Sequence, residues 1–187
     1  MIQRIGVIGG GLMGHAIAES FAMYGYDVHV LETDAARRDS VKAVIAGELA
    51  LLEREGLVAG GSRDGILGNI AVFGDMREAM ADRDLVIEAA PEIIELKRRI
   101  FAELDGICPP GTVFASNTSS LPLAEMTRDL PSARKSRFFV NHFYNPAHIM
   151  PIVEISFFGN VSEELFEELR ALYSSIGKQP VKVLKDI

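Results

Sequence analysis

The chain has 187 residues, of which 48% are hydrophobic and 24% charged, and it carries a formal net charge of −7 and one cysteine. That balance fits one folded domain, or one with an appendage, and the acidic charge excludes a nucleic-acid backbone as partner, since phosphates call for a basic face. Cys108 alone excludes an internal disulfide framework.

No basic stretch followed by an apolar one precedes the first strand, and no uncharged apolar run approaches the length of a membrane span, so a reducing, cytoplasmic setting is expected. Residues 5–8 read as a short apolar strand that runs into Gly9-x-Gly11-x-x-Gly14 and an Ala-rich helix over 12–24, closed by Gly25. A second strand, 27–31, ends at Glu32. Strand, glycine turn, helix, strand and acid, in that order, form a dinucleotide-binding half. In it Gly9 permits the tight turn, Gly11 lets the backbone approach a pyrophosphate, and Gly14 lets the helix pack on the sheet. Glu32 would accept hydrogen bonds from a ribose diol and repel a 2′-phosphate, which selects NAD over NADP, although Arg37 and Arg38 lie close enough to weaken that preference. On these residues alone FAD stays open.

A long helix follows over 35–55, with Val41, Val44, Ile45, Leu49 and Leu52 at three- and four-residue spacings. Glycines 56, 60 and 61 break it, and a short helix or turn leads to Gly65. This insertion, 35–65, is either a projecting helical arm or a plainly packed pair of helices. Strands are expected at 69–73, 85–89 and 112–115, with an amphipathic helix over 92–104. A short helix begins at Pro122 with Ser119 or Ser120 as its cap. Strands at 137–142 and 151–158, a helix over 163–176 ended by Gly177 and a last strand at 180–184 complete the chain. The alternation predicts a three-layer α/β, Rossmann-like fold, mostly parallel. The two strands after Arg137 lack a crossover helix, so the sheet is expected to turn antiparallel there.

Ligands in such sheets bind beyond the C-terminal strand ends. Three polar groups fall at such ends: Glu88, the run 115–120 (ASNTSS), and Asn141-His142 with Asn145. Taken alone, the Ser/Thr/Asn run also reads as a capping turn. His142 is the best general acid or base in the chain, because its proton affinity lies near neutrality if unperturbed. Glu154, twelve residues on in the apolar run PIVEISFF, can return against it across a strand, loop and strand. The competing account makes Glu154 part of a structural ion pair and His142 a core residue. His15 is expected on a solvated face, His29 in a structural role and His148 near the site.

With these residues assembled, the chain resembles the NAD-binding domain of the 3-hydroxyacyl-CoA dehydrogenase family. The resemblance rests on IGVIGGGLMG, DLVIEAAPEIIELKRRIFAELD, ASNTSSLPL, HFYNPAHIMPIVEI and GKQPVKVLKD, in that order along essentially the whole chain. It implies that His142 takes the proton of a 3-hydroxyl, that Glu154 is its carboxylate partner and that Ser119 contacts the substrate oxygen. It further implies an NAD site made of Gly9, Gly11, Leu12, Met13, Gly14, Glu32, Ala90, Glu92, Lys97, Asn117, Ser119 and Asn145, with no metal. The segment 35–65 resembles the part that meets the CoA tail. By the same resemblance the substrate is an acyl-CoA, and a helical second domain beyond Asp186 provides a homodimer interface; the chain would then be the cofactor-binding part of a longer enzyme. Gly10 stands where the family more often has alanine, a harmless exchange on sequence grounds. Asn141 replaces a small or apolar residue and His148 a proline, which keeps open a hydroxy acid lacking CoA, as in gulonate or carnitine dehydrogenases. A non-catalytic NAD-sensing module is the remaining alternative.

Overall fold

A computed structural model describes residues 2–186. The chain alternates strands and helices: β1 (Arg4–Ile8), α1 (Leu12–Ala22), β2 (Asp27–Leu31), α2 (Ala35–Arg54), α3 (Arg63–Gly68), β3 (Ile70–Phe73), α4 (Met76–Met80), β4 (Leu85–Glu88), α5 (Ile94–Ile107) and β5 (Val113–Ser116). It continues with α6 (Leu123–Met126), α7 (Ser132–Lys135), β6 (Phe138–Phe143), β7 (Ile152–Ser156), α8 (Glu163–Ser175) and β8 (Gln179–Val183). The strands form one sheet in the order β3-β2-β1-β4-β5-β6-β7-β8. Every neighbouring pair is parallel except β6–β7, so the expected Rossmann-like fold and its antiparallel turn are both present.

Period-two alternation along the strands divides the core into two layers. Ile5, Val7, Leu85, Ile87, Val113 and Ala115 face α1, α2 and α8, where Ile17, Phe21, Ile45, Leu49 and Leu169 cover them. Ile8, Val86, Phe114, Phe138 and Val140 face the other way, onto Met80, Phe101, Leu104 and Met126. The chain first builds outward from β1 through β2 to β3, then crosses back so that β4 lies on β1's other side. That reversal leaves a crevice between the turns after β1 and β4, where open α/β sheets bind ligands.

The insertion after β2 packs through Val41, Ile45, Leu49 and Leu52 of α2 and Ile66 of α3, all buried. Val44, predicted on the same stripe, is exposed. Helices α4 and α7, of five and four residues, have no counterpart in the sequence reading. Both are too short to show a helical period. The cap of α6 also differs from expectation. Neither Ser119 nor Ser120 caps it; instead the Asp186 carboxylate accepts from the Leu123 N–H at 2.9 Å and the Ala124 N–H at 3.3 Å. Cys108 is buried and donates its thiol hydrogen to the Met80 carbonyl, and burial pushes its thiol pKa up to about 11. Among the described residues, no helix is long and apolar enough to cross a membrane.

Candidate active site

The turn between β1 and α1 needs its glycines for distinct steric reasons. Gly9 has φ +97°, and a Cβ there would lie 2.8 Å from the Ala89 carbonyl oxygen. A Cβ on Gly14 would lie 1.7 Å from the Gly9 carbonyl oxygen, so Gly14 allows α1 to sit against the turn's own backbone. A Cβ on Gly11 would meet nothing within 4 Å, because that position faces the crevice. Gly10 is less neutral than its sequence position suggests, since an alanine there would meet Val41 Cγ2 at 2.7 Å.

These features fit a dinucleotide. The N-terminus of α1 has no side-chain cap and no acid in its first turn, whereas α2, α4 and α8 are capped by Asp34, Asp75 and Ser162. Its first-turn N–H groups and helix dipole suit a pyrophosphate. Glu32, at the end of β2, is buried and accepts from the N–H groups of Gly10 at 3.0 Å and Asp34 at 2.9 Å. Arg37 lies on the same carboxylate, with Nε 3.2 Å from Oε2, and Arg38 donates to the Glu32 carbonyl. Arg37 is therefore drawn onto the carboxylate, and Arg38 onto the backbone oxygen of the same residue. A cleft of about 500 Å³ is lined by Gly9, Gly11, Glu32, Arg37 and Ala90. Leu12 is exposed, and Met13 is half-buried and packs against the core.

Beside the crevice the turn after β4 is held by a buried charge network. Lys97 of α5 is 1% exposed and Glu88 is fully buried, with Nζ 2.7 and 2.8 Å from the two Glu88 oxygens. Ser116 donates to Glu88 at 2.5 Å, and the Ala90 N–H does so at 2.7 Å. Lys97 also lies 3.2 Å from Glu92, whose other oxygen accepts from Thr118, Ser120 and the Ser119 N–H. Burial opposes charge on Glu92, but Thr118 and Lys97 outweigh it and hold the carboxyl below its ordinary range. Lys97 thus stands behind Glu92, its ammonium directed at carboxylates of the protein. Glu88 was marked by its place at a strand end and Thr118 only as part of the run 115–120, and neither was assigned a binding role.

The other end of the Ser/Asn run meets β6. The antiparallel register sets His142 opposite Glu154, so both side chains share one face. His142 Nδ1 lies 2.8 Å from Glu154 Oε2, and Nε2 lies 3.1 Å from Ser119 Oγ. With the carboxylate accepting the Nδ1 hydrogen, Nε2 is left with a lone pair toward Ser119. Asn117 bridges β5 and β6, accepting from the Phe143 N–H at 2.9 Å through Oδ1. Asn145 is exposed in the loop that follows. Tyr144, not singled out in the sequence, packs its ring 4.8 Å from that of His142. A cavity of about 330 Å³ is lined by Ser119, His142, Tyr144, Glu154 and Lys185.

Two other histidines depart from their expected surroundings. His15 is buried rather than solvated, donating from Nδ1 to the Gly11 carbonyl at 2.8 Å with Nε2 3.2 Å from Glu48. The helix face it occupies is covered by α2, which the local sequence does not reveal. His148 lies against Glu19 and Glu48, on the α1 and α2 side of its loop. His29 keeps the structural role expected of it, bonded to the Ala79 carbonyl.

The profile of the "3-hydroxyacyl-CoA dehydrogenase, NAD binding domain" family matches residues 4–187. The chain belongs to this family. The chain is 35% identical over 179 residues to a 3-hydroxybutyryl-CoA dehydrogenase of Bradyrhizobium diazoefficiens, covering 96% of this chain and 60% of that protein. It is 32% identical over 188 residues to an L-carnitine dehydrogenase of Streptomyces griseus, covering 100% of this chain and 54% of that one. A crystal structure of 3-hydroxybutyryl-CoA dehydrogenase from Escherichia coli K12 superposes with a TM-score of 0.90 at 33% identity, over 97% of this chain and 38% of that one. The chain therefore spans little more than half the length of these two curated relatives. As an NAD-binding domain of the 3-hydroxyacyl-CoA dehydrogenase family, it has NAD as its cofactor.

Proposed function

We propose that this domain provides the cofactor site and the proton-transfer group for reversible oxidation of a 3-hydroxyacyl-CoA to the 3-oxoacyl-CoA. The observation that carries the reading is the placement of His142 between Glu154, at 2.8 Å, and Ser119, at 3.1 Å. When bound, NAD supplies the hydride acceptor. The N-terminus of α1 holds the pyrophosphate, with Gly11 allowing close approach and Leu12, Met13 and Ala90 lining the path. Glu32 takes the ribose diol. Glu92, braced by Lys97, with Asn117 and Asn145, borders the nicotinamide end. Nε2 of His142 accepts the 3-hydroxyl proton, while Ser119 donates to the same oxygen and positions it. Glu154 holds the Nδ1 hydrogen, fixes the tautomer and balances the imidazolium that forms. In ketone reduction that imidazolium returns the proton.

A hydroxy acid without CoA is the second reading, favoured by the full-length match of this chain to an L-carnitine dehydrogenase. NADH formation measured with 3-hydroxybutyryl-CoA and with L-carnitine separates the two. Oxidation of the thioester supports the first reading and oxidation of carnitine alone replaces it. Turnover of neither by a chain that includes the second domain, with NADH still bound, leaves a binding module.

Glu32→Ala should reduce the preference for NADH over NADPH by about tenfold or more, equivalent to about 1.4 kcal/mol. The substitution removes the diol acceptor and frees Arg37 to meet a 2′-phosphate. Calorimetric titration with both nucleotides checks this, and unchanged selectivity contradicts the role given to Glu32.

A further inference from the structure

A second polar cluster lies away from His142, between α1, α2 and the loop over 144–150. Glu19 of α1 is fully buried, and neither of its carboxylate oxygens has a hydrogen-bond partner. Oε2 of Glu48, from α2, and Nδ1 of His148 are likewise buried without one. One ligand atom from each of the three residues lies within 4.8 Å of the others. His148 Nδ1 stands 3.4 Å from Glu19 Oε2 and 4.0 Å from Glu48 Oε2. Metal–ligand bonds of about 2.0–2.2 Å set tetrahedral ligands roughly 3.4 Å apart, so the His148–Glu19 edge has that length and the His148–Glu48 edge must contract on binding.

With the His148 hydrogen on Nε2, which leaves Nδ1 free to ligate, the arrangement lacks a donor. Lys178 is the nearby cation, but its ammonium is directed to the carbonyls of Ala147 and Met150. His15 donates from Nδ1 to the Gly11 carbonyl, so its neutral form turns a bare Nε2 toward Glu48, 3.2 Å away. Buried acceptors left facing one another call for a cation or an added proton. We infer that Glu19, Glu48 and His148 form a transition-metal site of the Zn²⁺ class that ties the 144–150 loop to α1 and α2. Mixed imidazole and carboxylate donors suit Zn²⁺ or Co²⁺ better than Mg²⁺ or Ca²⁺, which prefer oxygen alone. The loop so anchored runs directly from His142 and carries Asn145, which makes the site a brace for the strand end that bears the histidine.

The alternative occupant is a proton shared between the carboxyls. Burial, followed by the adjacent Glu48 carboxyl, pushes the Glu19 carboxyl up to about 9. Groups facing it are Glu48 from α2, His148 from the loop, His15 from α1 and Lys178 just before β8. Burial holds His148 below its ordinary range.

Titrating the purified, metal-stripped protein with Co²⁺ and following the visible d–d absorption tests the site without recourse to activity. The expected result is a saturable band at one equivalent, displaced by Zn²⁺. Glu19→Gln and His148→Gln should each weaken binding more than about 100-fold, since even outer-shell partners contribute 10–100-fold. The two variants lie on different elements, so a folding failure in one, seen by circular dichroism, leaves the other decisive. No band in the wild-type protein, or an undiminished band in a folded variant, overturns the site.

Discussion

His142→Ala should lower kcat of the proposed dehydrogenase reaction by roughly 10²–10⁴-fold, the span expected for loss of a general base, while leaving NADH affinity nearly unchanged. The separation follows from position. His142 lies at the β6–β7 end of the crevice, in the cavity with Ser119 and Glu154, whereas the dinucleotide cleft is lined by Gly9, Gly11 and Glu32. Stopped-flow turnover and calorimetric NADH titration on the same preparation check both halves. A variant that keeps most of its turnover would remove the histidine from the reaction. One that loses NADH binding as well would make it a structural element of the cofactor site.

Lys97→Met carries the largest expected effect on stability. The side chain is 1% exposed, and its removal leaves Glu88, itself fully buried, without its countercharge. Breaking a buried pair from one side costs roughly 3–5 kcal/mol, because the remaining charge keeps its desolvation penalty. Urea unfolding followed by circular dichroism should show a loss of that order. Pairing the change with Glu88→Gln should recover part of it, since the orphaned charge is then gone. A loss below about 1 kcal/mol would be the behaviour of an exposed pair and would contradict this burial argument.

The strand and long-helix pattern was legible because period-two and 3.6-residue apolar spacings are local properties of the chain. Val41, Ile45, Leu49 and Leu52 announce α2 and are buried along it, and the run of residues 27–31 matches β2. Short helices were not legible. Helix α4 depends on one Asp75 cap and α7 on four residues after Pro131, and neither spans enough turns to register a period. The cap on α6 comes from Asp186, more than sixty residues away, a partner that no window around Ser120 contains.

By itself the sequence determined the glycine turn, the acid at the end of β2 and hence a dinucleotide site, with NAD rather than FAD given by the family resemblance, because a turn's φ and a helix's uncapped start depend on neighbours a few residues away. It also put Glu154 within reach of His142, but a separation of twelve residues is equally compatible with two strands out of register. Only the tertiary structure decided that β6 and β7 pair so that these two residues face each other, that Ser119 arrives from the neighbouring strand end, and that Lys97 is buried on Glu88. It alone gathered Glu19, Glu48 and His148 from three separate segments into one buried acceptor cluster. Such contacts arise from the order and register of the strands and from which helix covers which face, and both are set by burial summed over the whole chain.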